Sequence, residues 1–234
     1  MNLTSKINIS IAVLAYNEAS NLKLVVTSLN TTLTSIPGSH EIIIINDGSR
    51  DNTQEVADFL QESIDIVRIV THKTNMGLGA VYRTGFKEAK KDFLTFWPAD
   101  GQFNTDIIKN FAKQIPNYDL ILGYLPNHKR GLTGSILSLG EQTLYRILFG
   151  KIPKFQGVLM LRTEMLKKIS LVSSGRGWTV IIEFIIKASR QNFKIKSIPT
   201  DLSKRVSGKS KVINTKTVTS NFLQILKLRI QLFL

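Results

Sequence analysis

Asp92-Phe93-Leu94-Thr95-Phe96-Trp97-Pro98-Ala99-Asp100-Gly101-Gln102-Phe103-Asn104-Thr105-Asp106 carries the clearest signal of fold in the chain. The apolar run from Phe93 to Trp97 reads as a buried strand that ends at Pro98, after which a short loop presents Asp100 and Gln102. A carboxylate just past the C-terminal end of a central strand stands where open α/β sheets bind their ligands. Two oxygen-bearing side chains at i and i+2 can point toward one hard cation. Magnesium asks for few protein carboxylates when a diphosphate supplies the remaining oxygens. An Asp-Gly pair by itself is ordinary turn chemistry, so the neighbouring segments carry the decision.

Strand and helix alternate through the first 125 residues. Ile7–Leu14 reads as a strand, followed by a helix from Glu18 to Leu33. The β-branched run Glu41–Ile45 ends at Asn46-Asp47-Gly48-Ser49. Several N-cap residues between Ser49 and Glu55 then precede the apolar-periodic helix Val56–Leu60. Asp65–Thr71 is a strand, Gly79–Lys90 a helix, Thr105–Gln114 a helix and Tyr118–Gly123 a strand. This alternation predicts an α/β fold, a Rossmann-like and mostly parallel sheet with helices on both faces. Beyond Gly123 come a basic loop (Leu125–Thr133), a helix (Ser135–Phe149), a short strand (Val158–Leu161), a helix (Trp178–Ser189) and a strand (Lys194–Pro199). Ser203–Lys211 is a basic loop carrying Gly208 and Ser210.

The chain has 234 residues, 43% of them hydrophobic, enough for one substantial core. It has no cysteine, which excludes disulfides and thiolate metal sites. The N-terminus lacks an apolar signal core, and no segment reaches about 18 uninterrupted apolar residues. A cytoplasmic protein is expected, peripheral at the inner face of the membrane if it meets one. The net charge is +14, from 31 Lys and Arg against 17 Asp and Glu. From Lys204 to Leu234 there are seven basic residues and no acidic one. Such a balance favours phosphorylated substrates, an anionic membrane surface or nucleic acid. No paired RNA-binding aromatic motif is present, and the turns hold acids where nucleic-acid phosphates would approach, so nucleic acid is not the expected partner.

Four βα turns carry the chemistry: Ala15-Tyr16-Asn17-Glu18, Asn46-Asp47-Gly48-Ser49, Asn75-Met76-Gly77-Leu78-Gly79 and Ala99-Asp100-Gly101-Gln102. Tyr16 can stack on a base, and Glu18 and Asp47 can accept hydrogen bonds from base or ribose. Gly77 and Gly79 leave room for a diphosphate. Neither a Walker A loop nor the Gly-x-Gly-x-x-Gly fingerprint is met.

In this order the turns resemble nucleotide-sugar glycosyltransferases of family two, with the A-type fold, and within them the dolichyl-phosphate mannose synthase-like branch. The resemblance extends through Gly157, Arg162, Glu183 in the helix after Trp178, Ile198-Pro199 and Arg205-Val206-Ser207-Gly208-Lys209-Ser210-Lys211. It implies a catalytic domain over residues 1–211, with a nucleotide-sugar half (1–125) and an acceptor half (126–211), and a C-terminal amphipathic helix over 212–234. It places Ala15, Tyr16, Glu18, Asp47, Gly77 and Asp100 around the donor. Asp100 and Gln102 would hold Mg2+ or Mn2+ on its diphosphate. Arg205, Ser210 and Lys211 would meet a phosphate of acceptor or donor. Two departures from the family pattern stand out. The usual Asp-x-Asp is reduced to Pro98-Ala99-Asp100, leaving one aspartate. The arginines expected after the fifth strand and at the start of the next helix are missing from Gly123-Tyr124-Leu125 and from Gly134–Ser138, with Lys129 and Arg130 as substitutes.

The implied reaction is a direct displacement with inversion, from a nucleoside-diphosphate sugar to a polyprenyl-phosphate or related lipid-linked acceptor. A phosphate acceptor is already largely ionised near neutral pH and needs no strong base. Transfer to a glycan hydroxyl, as in cell-surface polysaccharide synthesis, would need a carboxylate, for which Glu183 is the candidate. Glu183 also reads as a helix acid paired with Lys187 at i+4. A third reading is a non-catalytic nucleotide- or nucleic-acid-binding protein. The segment Asn221–Leu234 is apolar with Lys227 and Arg229 interspersed, suited either to a membrane interface or to packing on the catalytic domain or in an oligomer.

Overall fold

Ile42, Ile43, Ile44 and Ile45 are fully buried in succession, so both faces of their strand are covered, as in a parallel sheet between helical layers. The computed structural model describes residues 6–125, 143–202 and 215–232. In chain order the elements are β1 (Ile9–Ala15), α1 (Ala19–Thr34), β2 (His40–Asn46), α2 (Thr53–Ser63), β3 (Val67–Thr71), α3 (Leu78–Glu88), β4 (Phe93–Pro98) and α4 (Asp106–Gln114). A 3-10 turn (Ile115–Asn117) leads to β5 (Leu120–Tyr124). Residues 143–149 form α5. They are followed by β6 (Leu159–Arg162), α6 (Met165–Lys168), α7 (Thr179–Arg190), β7 (Ile195–Pro199) and α8 (Thr215–Gln231).

The seven strands form one sheet in the order β3-β2-β1-β4-β6-β5-β7. All neighbours run parallel except β6, which is antiparallel to both β4 and β5. The chain thus steps outward from β1 through β2 to β3, then returns to the other side of β1 for β4. That reversal is the switch point of a doubly wound sheet. Strands β6 and β7, from the chain after residue 125, complete the sheet begun by the first 125 residues.

Among the described residues the expected elements are present, with shifts at their ends; of the helix expected over Ser135–Phe149, residues 135–142 lie outside the described residues. Val67 rather than Asp65 opens β3, because Val67 N–H closes a turn onto the Ile64 carbonyl at 2.9 Å. Pro98 is the last residue of β4, paired with Leu14, rather than a terminator outside it. It lacks an N–H, and the next bond to β1 comes from Ala99 N–H to the Leu14 carbonyl at 3.1 Å.

One face of the sheet packs against α1, α2 and α4 through residues such as Leu22, Leu29, Leu60, Ile108 and Phe111. The other packs against α3, α6 and α7, with Phe96 edge-on to both Tyr82 and Phe86. A third cluster joins α5, α7 and α8 through Tyr145, Phe149, Ile182, Ile186, Ile225 and Leu228. Burying Ile225 and Leu228 contributes about 1.5–3 kcal/mol each by apolar transfer, which holds α8 against the body of the molecule. Among the described residues no helix is long and apolar enough to cross a membrane.

Candidate active site

The ends of β1 and β4 lie side by side, with Leu14 in register with Pro98. This puts Tyr16 and Asp100 at the two lips of the switch-point crevice. Asp100 and Gln102 are both half-buried. Asp100 Oδ1 accepts the Gln102 N–H at 3.1 Å, closing a short turn that orients the carboxylate at the strand end. An isolated antiparallel bridge joins Phe103 to Leu202, so the chain arrives at residue 202 beside the Asp100 loop. Arg205, Ser210 and Lys211, which follow, lie outside the described residues, as do Lys129, Arg130 and Gly134–Ser138.

The turns after β1 and β2 are stitched together. Asn17, at φ +53°, donates its N–H to Ser49 Oγ at 2.9 Å and accepts the Arg50 N–H on Oδ1 at 2.8 Å. Glu18 N–H donates to Thr53 Oγ1 at 2.9 Å. The Glu18 carboxylate accepts from Asn21 Nδ2 at 2.8 Å, at the first turn of α1. Asp51 is the keystone. Burial opposes its charge, but bonds from the Thr53 hydroxyl and amide and from the Ala19 amide hold its carboxyl below the ordinary value. Asp51 read from sequence only as one N-cap among several; its service to two loops comes from the adjacency of β1 and β2.

Asp47 is buried, and its carboxylate grips the turn after β3. It accepts from Met76 N–H (2.9 Å), Gly77 N–H (2.8 Å), Asn75 Nδ2 (3.0 Å) and His72 Nδ1 (2.7 Å). His72 Nε2 in turn meets Thr84 Oγ1 at 2.8 Å. Where the residue type suggested contact with base or ribose, the bonds present shape the turn that borders the crevice. No sequence signal marks His72, which lies one residue past β3.

The room at Gly77 and Gly79 is taken by the chain itself. A Cβ on Gly79 would sit 2.1 Å from the Gly175 carbonyl oxygen, and one on Gly77, at φ +86°, 2.8 Å from that of Arg176. Gly79 N–H donates to the Arg176 carbonyl at 2.8 Å. Residues 175–177 therefore occupy the approach expected for a diphosphate at this helix start.

Glu183 is fully buried on α7. Its Oε1 accepts the Val172 N–H at 2.8 Å and meets Lys187 Nζ at 2.6 Å, while Oε2 accepts the Ser173 N–H at 2.8 Å. Burial raises its pKa, but Lys187 and the two amides outweigh this and hold the carboxyl below its ordinary range. A carboxylate so enclosed and so weakly basic is poorly placed to take a proton from an acceptor, in contrast to the general-base expectation. Arg162 stands at the opposite end of the strands, in register with Phe93 at the start of β4, its guanidinium donating to the carbonyls of Ile115, Pro116 and Tyr118.

For a divalent ion, the described residues hold no group of three or more His, Cys, Asp or Glu side chains. Asp100, with the Gln102 side chain nearby in the same turn, fits an ion that arrives with diphosphate oxygens already on it. It does not fit one caged by protein alone.

A doubly wound sheet with an acidic loop at its switch point defines an α/β protein that binds its ligand across the strand ends. Residues 10–169 match Glycosyl transferase family 2, and the chain belongs to that family. Dolichol-phosphate mannosyltransferase from Pyrococcus furiosus is 26% identical over 215 residues, covering 87% of this chain and 59% of the relative. Dolichyl-phosphate beta-glucosyltransferase from Trichomonas vaginalis is 24% identical, covering 94% of this chain and 73% of the relative. The chain thus spans only part of these relatives' lengths. Among solved structures, glucosyl-3-phosphoglycerate synthase from Mycobacterium tuberculosis, in complex with Mn2+, UDP-glucose and phosphoglyceric acid, superposes with a TM-score of 0.71. The identity is 15%, over 95% of this chain and 80% of that one. At that identity the likeness is one of fold.

Proposed function

We propose that this chain transfers a sugar from a nucleoside-diphosphate sugar to the phosphate of a polyprenyl-phosphate acceptor. The family and the names of the curated relatives support the reaction class. The observation that supports a phosphate acceptor is the enclosure of Glu183. A hydroxyl acceptor needs a base, and the carboxylate singled out for that task is committed to Lys187, Val172 and Ser173. A phosphate monoester, with a second pKa of about 6, carries its own ionised oxygen.

In this reading the acceptor phosphate oxygen attacks the anomeric carbon as the bond from that carbon to the diphosphate breaks. The nucleoside diphosphate departs from the opposite face, and the configuration inverts. Asp100, with Gln102, would hold Mg2+ or Mn2+, which when bound supplies Lewis-acid neutralisation of the departing diphosphate, worth several kcal/mol. Tyr16 and Glu18 border the nucleotide, and Asp47 shapes the turn Asn75–Gly77 beside it. Arg205, Ser210 and Lys211 would meet a phosphate of the acceptor or donor.

The outer side of α8 presents Leu223 and Ile230, both 59% exposed, with Lys227 between them, and α5 adds exposed Ile147 and Arg146. Apolar and cationic side chains on one surface suit the interface of an anionic membrane, where a lipid acceptor resides. The test is transfer of labelled hexose from UDP- and GDP-sugars to polyprenyl phosphate in detergent with Mg2+ or Mn2+. Labelled lipid is expected from the native chain and is absent with Asp100→Asn.

A further inference from the structure

Residues 172–177 run as a strap from the acceptor half across the start of α3, and the strap is fixed from three sides. From below, Glu183 takes the amides of Val172 and Ser173. On the donor side, Arg176 Nη2 donates to both the backbone carbonyl (2.8 Å) and Oδ1 (2.7 Å) of Asn75. Asn75 Nδ2 donates in turn to Asp47. On the far side, Gln224 of α8 accepts from the Gly177 N–H and the Thr179 hydroxyl, each at 3.3 Å. Packing there is close: a Cβ on Gly175 would lie 2.1 Å from Gln224 Oε1.

We infer that Arg176 and Gln224 are positioning residues through which the C-terminal helix sets the turn Asn75–Gly77 and so the affinity for the nucleoside diphosphate. This rests on the donor-site reading above. Both residues lie beyond the matched region, residues 10–169. The physical ground is that Asp47 and Arg176 hold Asn75 from opposite ends, one through its amide nitrogen and the other through its two oxygens. An arginine suits that post because its guanidinium is planar and permanently charged, so the bonds it makes are charge-assisted. Without the Gln224 carbonyl, the Gly177 amide and Thr179 hydroxyl lose that acceptor. The strap keeps Glu183 at Val172 and Ser173, Arg83 on the Ser173 and Gly175 carbonyls and Gly79 N–H on the Arg176 carbonyl, but its stretch after Arg176 loses its hold on α8. The C-terminal helix is thereby linked to the donor site without touching it.

The experiment uses the full chain with UDP and GDP as probes, each with Mn2+, titrated by calorimetry. Arg176→Ala and Gln224→Leu should each weaken nucleotide binding by about five- to tenfold, a typical coupling between sites. The double variant should be no worse than Arg176→Ala alone, and Gln231→Ala, exposed on the same helix, should bind as the native chain does. Arg176→Lys should recover part of the loss. Hydrogen exchange of the Met76 and Gly77 amides gives a readout without nucleotide: both should exchange faster in the two variants while the amides of β1 and β2 keep their protection. Should Arg176→Ala loosen the whole sheet, Arg176→Lys and Gln224→Leu carry the comparison. Native affinity and native exchange in Arg176→Ala and Gln224→Leu would overturn the relay. A native chain that binds neither nucleotide would overturn the donor-site reading instead, and the exchange rates would still decide the relay.

Discussion

The Lys187 ammonium lies 2.6 Å from the Glu183 carboxylate, one helical turn away on α7, and the carboxylate is wholly enclosed. This pair converts a residue that sequence offers as a general base into an anchor for the loop at Val172 and Ser173. Glu183→Gln should therefore act on stability rather than on chemistry. Leaving Lys187 without its counter-charge should cost about 1–3 kcal/mol in thermal or urea unfolding. The kcat of the folded fraction should fall by no more than about threefold, whereas loss of a general base costs about 10²–10⁴-fold.

The same carboxylates set the response to acid. Burial works against the charge of Glu41, Asp51 and Glu183, yet bonds from Ser10, Arg68 and the Lys90 amide, from Thr53 and Ala19, and from Lys187 and the loop amides hold all three below their ordinary values of 4.5, 3.8 and 4.5. Groups with depressed folded pKa values contribute stability that is complete above the unfolded values and is lost as pH falls through the folded ones. The melting temperature should accordingly hold down to about pH 4.5 as far as these groups govern it, and fall steeply below.

His40 acts earlier. Its burial, together with nearby Lys91, outweighs the bond to the Ile36 carbonyl and lowers its pKa from 6.5. Its Nδ1 is buried with no partner, so a proton there would have no acceptor. The neutral ring is therefore favoured on folding, and stability declines as pH drops from 6.5 toward the lowered folded value. His40→Gln should flatten that part of a Tm-against-pH curve; an unchanged slope would assign the decline elsewhere.

The two sides of α8 should separate in their effects. Leu228→Ala opens a cavity in the cluster of α5, α7 and α8 and should destabilise by about 2–5 kcal/mol in urea unfolding. Ser at Leu223 and Ile230 together should leave unfolding within about 0.5 kcal/mol and reduce flotation with vesicles of anionic lipid. Flotation equal to the native chain would remove α8 from the membrane surface.

Much of the architecture was legible because its signal is local. The run Ile42–Ile45, the Asn-Asp-Gly-Ser turn after it and the Phe93–Trp97 strand each state their element in a few residues, and their order implies the parallel sheet. The direction of β6 was not legible, since strand pairing depends on where the chain returns after residue 125 and not on the content of Leu159–Arg162. The site divides in the same way. Asp100 stands out because a strand end announces it. The commitments of Asp47 to Asn75–Gly77, of Glu183 to Val172 and Ser173, and of Arg176 to Asn75 are tertiary and join segments 10 to 101 residues apart. Glycines at 77 and 79 mark a close approach in the sequence, and the strap at residues 175–177 lies against them.

The most direct test of a phosphate acceptor compares polyprenyl phosphate with the corresponding polyprenol, the same lipid ending in a hydroxyl. The purified 234-residue chain is incubated with labelled UDP- and GDP-hexoses, Mg2+ or Mn2+ and each lipid in turn, and the label in the organic phase is measured. On the proposal that Glu183 takes no proton from the acceptor, label should pass to polyprenyl phosphate and not to polyprenol. Equal labelling of polyprenol would contradict the account.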